Sequence, residues 1–389
     1  MFVRVLVTLW VMVCLFGCSD QESEPDHSGS VGLRIDQLLG EDDLAGFALA
    51  EVPRPFNLPA DHGPHPEYRS EWWYITSVLQ DAAGRDFGVQ YTLFRQALEP
   101  ADSDALTQNE VNPWSQPQAY LAHLAYSDVD NKAHQLAQRF SRSHPELAWV
   151  TSDSNGFKAV IDDWSLSQSE GAEDNTLDWR LQAKEQDEFA LDLRFEQRGI
   201  MVPQGDRGLS WKGPGNASYY FSMPRLWTSG VLRIGEEDYQ VSGWSWLDRE
   251  WSTSVLGPHL QGWAWFAIQF EEGGSLMVFS LQRKDNQRDE YDHGMYLVGD
   301  DINSLHHRDY QLTPLEYWTA PSGSRWPVSW RLTFTGSALE GKLAYPELVI
   351  SAAFNDQLND GAVRYWEGLV NVFVDQRQVG RGYMELTGY

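Results

Sequence analysis

The segment Gly243-Trp244-Ser245-Trp246-Leu247-Asp248-Arg249-Glu250-Trp251 sets a carboxyl group among indole rings, with Trp246 two residues before Asp248 and Trp251 three after it. A carboxylic acid in apolar surroundings keeps its proton to higher pH and can deliver it to a bound molecule. Ring faces stabilise a cation that forms beside them. The segment therefore has the composition for acid catalysis on an apolar compound, with Asp248 as the acid. On the residues alone, a turn or ion-pair aspartate beside Arg249 and Glu250 is the competing reading, because Asp is common at loop starts. If the strand continues, Glu250 faces the same side as Asp248, and two carboxyls that close raise each other's pKa.

Further rings that could wall a cavity are Trp72, Trp73, Trp244, Trp263 and Trp265, although such tryptophans also fill barrel cores. Trp72 and Trp73 are adjacent and point to opposite faces of a strand, so at most one of them lines a given pocket. His123, between Ala122 and Leu124, reads as a buried structural histidine. His62 and His65, near Asp61, have a metal-like spacing but no further ligand, so no metal is expected. The sequence has no HExxH, GxSxG or Gly-rich phosphate loop, which leaves the common zinc and serine hydrolase mechanisms unsupported. No cofactor is implied.

The elements that must hold these residues are strands. Short runs of β-branched and aromatic residues alternate with turn signals from Trp72 onward, for example Trp72 to Leu79, then Ala82-Ala83-Gly84-Arg85, then Asp86 to Arg95. The series ends near Leu386 and helical periodicity is almost absent, so the expected class is all-β, as two antiparallel barrels. The expected division is residues 61–225 for the first barrel and 226–389 for the second, with 18–60 as an acidic, Pro-containing tether.

The start of the chain carries Arg4, an apolar run from Val5 to Phe16, and Leu15-Phe16-Gly17-Cys18. That run is too short to span a bilayer as a stable helix. It reads as a signal peptide over residues 1–17 followed by a lipidated Cys18, which anchors the protein in the cell envelope on the periplasmic side, with the outer membrane favoured because residue 19 is Ser. Cys14 falls within the removed segment, so no thiol remains for a disulfide or a metal. A formal charge of −27 excludes nucleic acid as an expected partner, since phosphate backbones need a basic face. The 18 Trp, 16 Tyr and 17 Phe fit barrel cores or a ring-walled pocket.

Four stretches together resemble one family, the carotenoid 1,2-hydratase or AttH-like group of lipocalin-like proteins. They are Glu71 to Thr76 with Phe87 to Arg95; Ala122 to Asp128 with Arg139 to Arg142; Gly205 to Gly208, Tyr219 to Leu226 and Gly243 to Trp251; and Tyr365 to Gly368 with Gly382 to Tyr389. The resemblance implies two lipocalin-like barrels packed side by side with a ligand cleft near their junction. It implies Asp248 as the acid of a hydro-lyase, or of an isomerase or cyclase. In the hydratases a tyrosine stands where this chain has Trp246, and a histidine and a tryptophan stand where it has Tyr219 and Phe221. The resemblance thus implies Asp248, Trp246 and Tyr219 as catalytic. It places Phe221 at the ligand, and the residue types themselves add Trp251, Trp72, Trp73, Trp263 and Trp265 as expected ligand-binding rings.

The expected function is an exported, lipid-anchored protein that binds an apolar or isoprenoid-like small molecule, with acid-catalysed hydration or isomerisation as its chemistry. Beside it stands a non-catalytic periplasmic carrier or chaperone for a lipid-like cargo, linked to an envelope transporter.

Overall fold

Alternation of side chains across pleated strands decides what this chain buries and what it turns toward a ligand. The computed structural model describes residues 44–100, 117–153, 156–169, 176–253, 256–335, 339–343 and 345–389. Cys18 and the expected signal peptide lie outside the described residues. Among the described residues the only helical element is the short 3-10 turn Ala60–His62.

The strands form two antiparallel sheets that curl into near-closed barrels, within the compact unit Gly32–Tyr389. In the first, Ala133–Arg142, Gln118–Asp128, Asp86–Ala97 and Ser70–Asp81 lie in sequence. Glu237–Ser252 comes next, then Asn216–Ile234, Phe189–Gln197, Asp178–Glu185, Trp164–Gln168, Gly156–Ile161 and Ala148–Asp153. The short strands Val202–Pro203 and Leu209–Gly213 also pair with Asn216–Ile234. The second sheet runs Asp301–His306, His293–Val298, Ser275–Arg283, Leu260–Phe270, Arg377–Leu386, Arg364–Val374, Glu347–Ala352, Arg325–Phe334 and Tyr310–Thr319, with Leu358–Asp360 on Arg364–Val374.

The chain passes from one sheet to the other between Ser252 and Leu260, downstream of the expected division at 225/226. Asn216–Ile234 and Glu237–Ser252 are long hairpin partners, and Ser70–Asp81 pairs over its whole length with Val241 to Ser252, which fixes both strands in the first sheet. Tyr310–Thr319 was not apparent in the sequence. It is the last strand of its sheet, mostly exposed and interrupted by Pro314, so it has only a weak alternating signal.

Each barrel has its own apolar core. Trp73, Ile75, Leu79, Trp164, Trp179 and Leu247 belong to the first, and Phe266, Trp326, Trp330, Trp366 and Met384 to the second. The alternate residues of the same strands form a third cluster between the sheets, including Tyr74, Tyr220, Trp246, Trp265, Phe279 and Tyr383. The sheets approach so closely at Gly88 that a Cβ there would lie 2.3 Å from both Leu369 Cδ1 and Tyr383 Oη. Arg381 Nη1 donates to Asp86 at 2.5 Å, and Gln269 Nε2 to the Pro224 carbonyl at 2.7 Å, across the same junction.

Residues 44–60, expected as part of a tether, pack against the first barrel. Ala50 is buried, Phe56 lies 5.0 Å from the Phe221 ring and 5.7 Å from Trp251, and Tyr219 donates its hydroxyl to the Val52 carbonyl at 3.0 Å. The apolar surface of Phe56 has nowhere drier to go, and the prolines hold the chain extended along it.

Candidate functional site

Asp248 lies four residues before the end of Glu237–Ser252, directly opposite Tyr74 on one side and Ser222 on the other. Thr92 and His123 continue the row beyond Tyr74. On the facing sheet Trp265, Glu385 and Glu367 form a second row across three strands. The two rows meet in a cavity whose wall includes Trp72, Phe94, Trp263, Trp265, Phe279 and Tyr365. It contains about 770 Å³ of atom-free space, part of it continuous with solvent.

Asp248 is buried and accepts three hydrogen bonds: from Tyr220 Oη at 2.6 Å, Ser222 Oγ at 2.5 Å and Trp246 Nε1 at 2.7 Å. Burial pushes its pKa up to about 7, against the three donors, which favour the carboxylate, while the neighbouring Glu250 adds to the rise. Glu250, on the same strand face, is held by the Lys212 ammonium and the Ser218 hydroxyl. Glu367 accepts a hydrogen bond from Tyr74 Oη at 2.5 Å on Oε1, while its buried Oε2 has no partner among the described residues. Burial and the Glu385 charge hold the Glu367 pKa well above the usual carboxylate range. Glu385 accepts from Trp263 Nε1 at 3.2 Å and is pushed up to about 8 by burial, with the Asp248 and Glu250 charges adding to it.

Near neutral pH the site thus combines two kinds of carboxyl. Glu367 and Glu385 hold protons, whereas Asp248 has three donors ready for its charged form. One side can give a proton and the other can take one. That is the equipment of general acid–base catalysis in a ring-walled pocket.

Of the residues expected at the site, Asp248, Trp72, Trp263 and Trp265 line the cavity, and Trp246 reaches it through its bond to Asp248. Four others do not. Trp73 is in the first barrel core, and Tyr219, Phe221 and Trp251 form a separate cluster at the end closed by Phe56. Parity is the reason: positions 219, 221 and 251 point to the opposite face from 220, 222 and 248, so Tyr220 takes the place expected for Tyr219. Trp251 instead stacks on His65 at 3.8 Å. His123, read as structural, lines the cavity. Sequence reasoning also missed Tyr74, Glu367, Glu385 and Lys212. Glu367 and Glu385 stand in stretches that carried the family resemblance, and their alternation with Trp366 and Met384 was the available signal.

His62 packs its ring against Trp179 and Phe221, and His65 belongs to a structural network. Arg95 and Arg249 converge on Glu71, all three essentially inaccessible, and His65 Nδ1 lies 3.1 Å from the same carboxylate. Burial would raise the Glu71 pKa, but the Arg95 charge, the His65 hydrogen bond and the Arg249 charge outweigh it and hold the carboxyl below its usual range.

Fold and site together define a lipocalin-like, two-barrel protein with an aromatic, carboxyl-bearing cavity between its sheets. Residues 49–389 match the AttH-like family, and the chain belongs to it. A crystal structure of a Nitrosomonas europaea protein carrying the AttH name superposes with a TM-score of 0.73 at 29% identity, covering 88% of this chain and 100% of that one. Kievitone hydratase from Nectria haematococca gives 0.61 at 16% identity, over 86% of this chain and 93% of its own, a likeness of fold alone. The dehydratase asqC of Emericella nidulans is 25% identical over 126 residues, 32% of this chain; the match spans less than a third, 31%, of that relative's length.

Proposed function

We propose that the cavity binds an apolar or isoprenoid-like small molecule and adds water to it, or removes water from it, by acid–base catalysis. The observation that carries this reading is the opposition of Asp248, with three hydrogen-bond donors, to the proton-holding Glu367 across a ring-walled hollow. In the hydration direction, Glu367 gives its proton to an alkene carbon and the neighbouring carbon becomes cationic beside the rings. Water adds to that carbon, and Asp248 takes the proton the water releases. The pair keeps its total proton count, with the proton moved from Glu367 to Asp248, and its return to Glu367 resets the site for the next turnover. Loss of a proton from carbon instead of addition of water would make the same step an isomerisation. The match to a dehydratase supports water chemistry, since hydration and dehydration are one equilibrium run in two directions.

The same proposal puts the protein on the periplasmic side of the cell envelope, held to the outer membrane by an acylated Cys18 and using no cofactor. Incorporation of labelled palmitate that disappears in Cys18→Ser would support the anchor, and equal labelling of both would remove it.

The test of the chemistry is incubation of the purified protein with apolar cell extracts in ¹⁸O-water. Compounds gaining the label as one added water are expected with wild type and should fall by about a hundredfold or more in Asp248→Asn. Equal labelling in the variant would overturn the assignment. The ring-lined cavity also supports the second reading, a carrier of a lipid-like cargo that works with an envelope transporter. A compound that copurifies and leaves both proteins unaltered would favour that carrier.

A further inference from the structure

The end of the cavity away from Asp248 contains a chain of hydrogen bonds whose directions are fixed. The Ala362 backbone N–H donates to Gln138 Oε1 at 3.0 Å, so the other amide atom of Gln138, lying 2.7 Å from His123 Nε2, is its NH₂ group. Turning the amide over would face two N–H donors against each other. Gln138 therefore donates to His123 Nε2. Burial lowers the His123 pKa to about 4, so the ring is neutral at pH 7 and its one proton is on Nδ1. That proton is donated to Tyr365 Oη at 2.7 Å.

Tyr365 is thereby made an acceptor from the protein, and its own proton must go elsewhere. Among the described residues two side-chain amides neighbour the phenol oxygen, Gln90 with Nε2 at 3.5 Å and Asn359, whose Oδ1 is turned to His134, and both act on the phenol oxygen as donors and not as acceptors of its proton. Burial is the larger influence and keeps the phenol protonated. Tyr365 and His123 both line the cavity, their rings stacked 5.5 Å apart.

We infer that Tyr365 is a ligand-binding donor, and that the cavity takes an apolar molecule bearing a carbonyl oxygen, held at Tyr365, with the rest of its frame extending toward Asp248. His123 and Asp248 are separated by three strand spacings, about 14 Å at the backbone. An elongated ring compound with oxygen at one end fits this arrangement better than a pure hydrocarbon. A buried phenol proton without an acceptor is costly in the empty site and repaid when a carbonyl arrives.

This inference rests on the reading of the cavity as the substrate site, and the test separates the two. Binding of 1-indanone and of indane, the same frame without the oxygen, is measured by tryptophan fluorescence for wild type and Tyr365→Phe. Wild type should prefer the ketone by about two- to tenfold, with its carbonyl stretch lowered in the complex, and Tyr365→Phe should lose both effects while keeping its affinity for indane. Equal affinities in wild type, or a preference that survives in the variant, would overturn the Tyr365 assignment alone. Failure of both compounds to bind would remove the cavity as a ligand site and the inference with it. A measurement that needs no variant is ¹⁵N spectroscopy of labelled histidine: His123 is expected to have its proton on Nδ1, and a proton on Nε2 would overturn the donor direction.

Discussion

The Tyr74 hydroxyl donates to Glu367 Oε1 at 2.5 Å, joining two sheets through residues 293 positions apart in the chain. Tyr74 lies opposite Asp248 in its own sheet and thus stands between that carboxyl and Glu367. Removing the hydroxyl leaves Glu367 buried with both oxygens unpaired. Tyr74→Phe should lower unfolding free energy by about 1–3 kcal/mol in urea titrations. An unchanged midpoint would mean the bond adds nothing to the junction.

Stability should depend on pH through Asp248 and Glu385. Their folded pKa values, about 7 and about 8, lie above their ordinary values of 3.8 and 4.5. Between each pair of values the folded chain binds more protons than the unfolded chain, so unfolding free energy falls as pH rises through that window. Asp248→Asn should flatten the decline between pH 3.8 and about 7, and Glu385→Gln that between 4.5 and about 8, each removing a slope of about 1.4 kcal/mol per pH unit. Denaturation of wild type and variants across this range checks both, and parallel curves would contradict them.

Glu71 should be among the costliest carboxyls to remove. Glu71→Ala strands Arg95 and Arg249 in a site without solvent, at a cost of about 3–5 kcal/mol. Arg233→Ala, which breaks an exposed pair with Asp238, serves as the comparison and should leave stability nearly unchanged. Chemical denaturation of the two would rank them, and similar losses would argue against the buried network as a structural centre.

Glu367→Gln should abolish turnover as fully as Asp248→Asn while leaving ligand affinity within a few fold, because each removes one half of a proton exchange. Product analysis with the ¹⁸O label checks it. Turnover retained in Glu367→Gln would move the acid role to Glu385.

Gly88→Ala should separate the sheets where Leu369 and Tyr383 approach. The expected result is a lower melting temperature together with weaker ligand binding, since Glu367 and Glu385 belong to the sheet that would shift. Normal binding in a folded Gly88→Ala would show that the junction tolerates the added methyl group.

The sequence by itself determined the class of fold and the character of the site. Alternation in Trp72 to Leu79 and in Gly243 to Trp251 encodes strands with one face for a core and one for something else, and it put Asp248 and Glu250 on a common side. It left the faces unnamed: nothing local tells Tyr219 from Tyr220, or Trp251 from Trp246, because each strand offers two faces and only pairing decides which one meets the other barrel. Tertiary structure made that decision. It set Glu237–Ser252 beside Ser70–Asp81, pressed that face against strands more than a hundred residues later, and so brought Glu367, Glu385 and Tyr365 to Asp248. Desolvation then raised the carboxyl pKa values, an effect of enclosure by distant segments that no single stretch of chain contains.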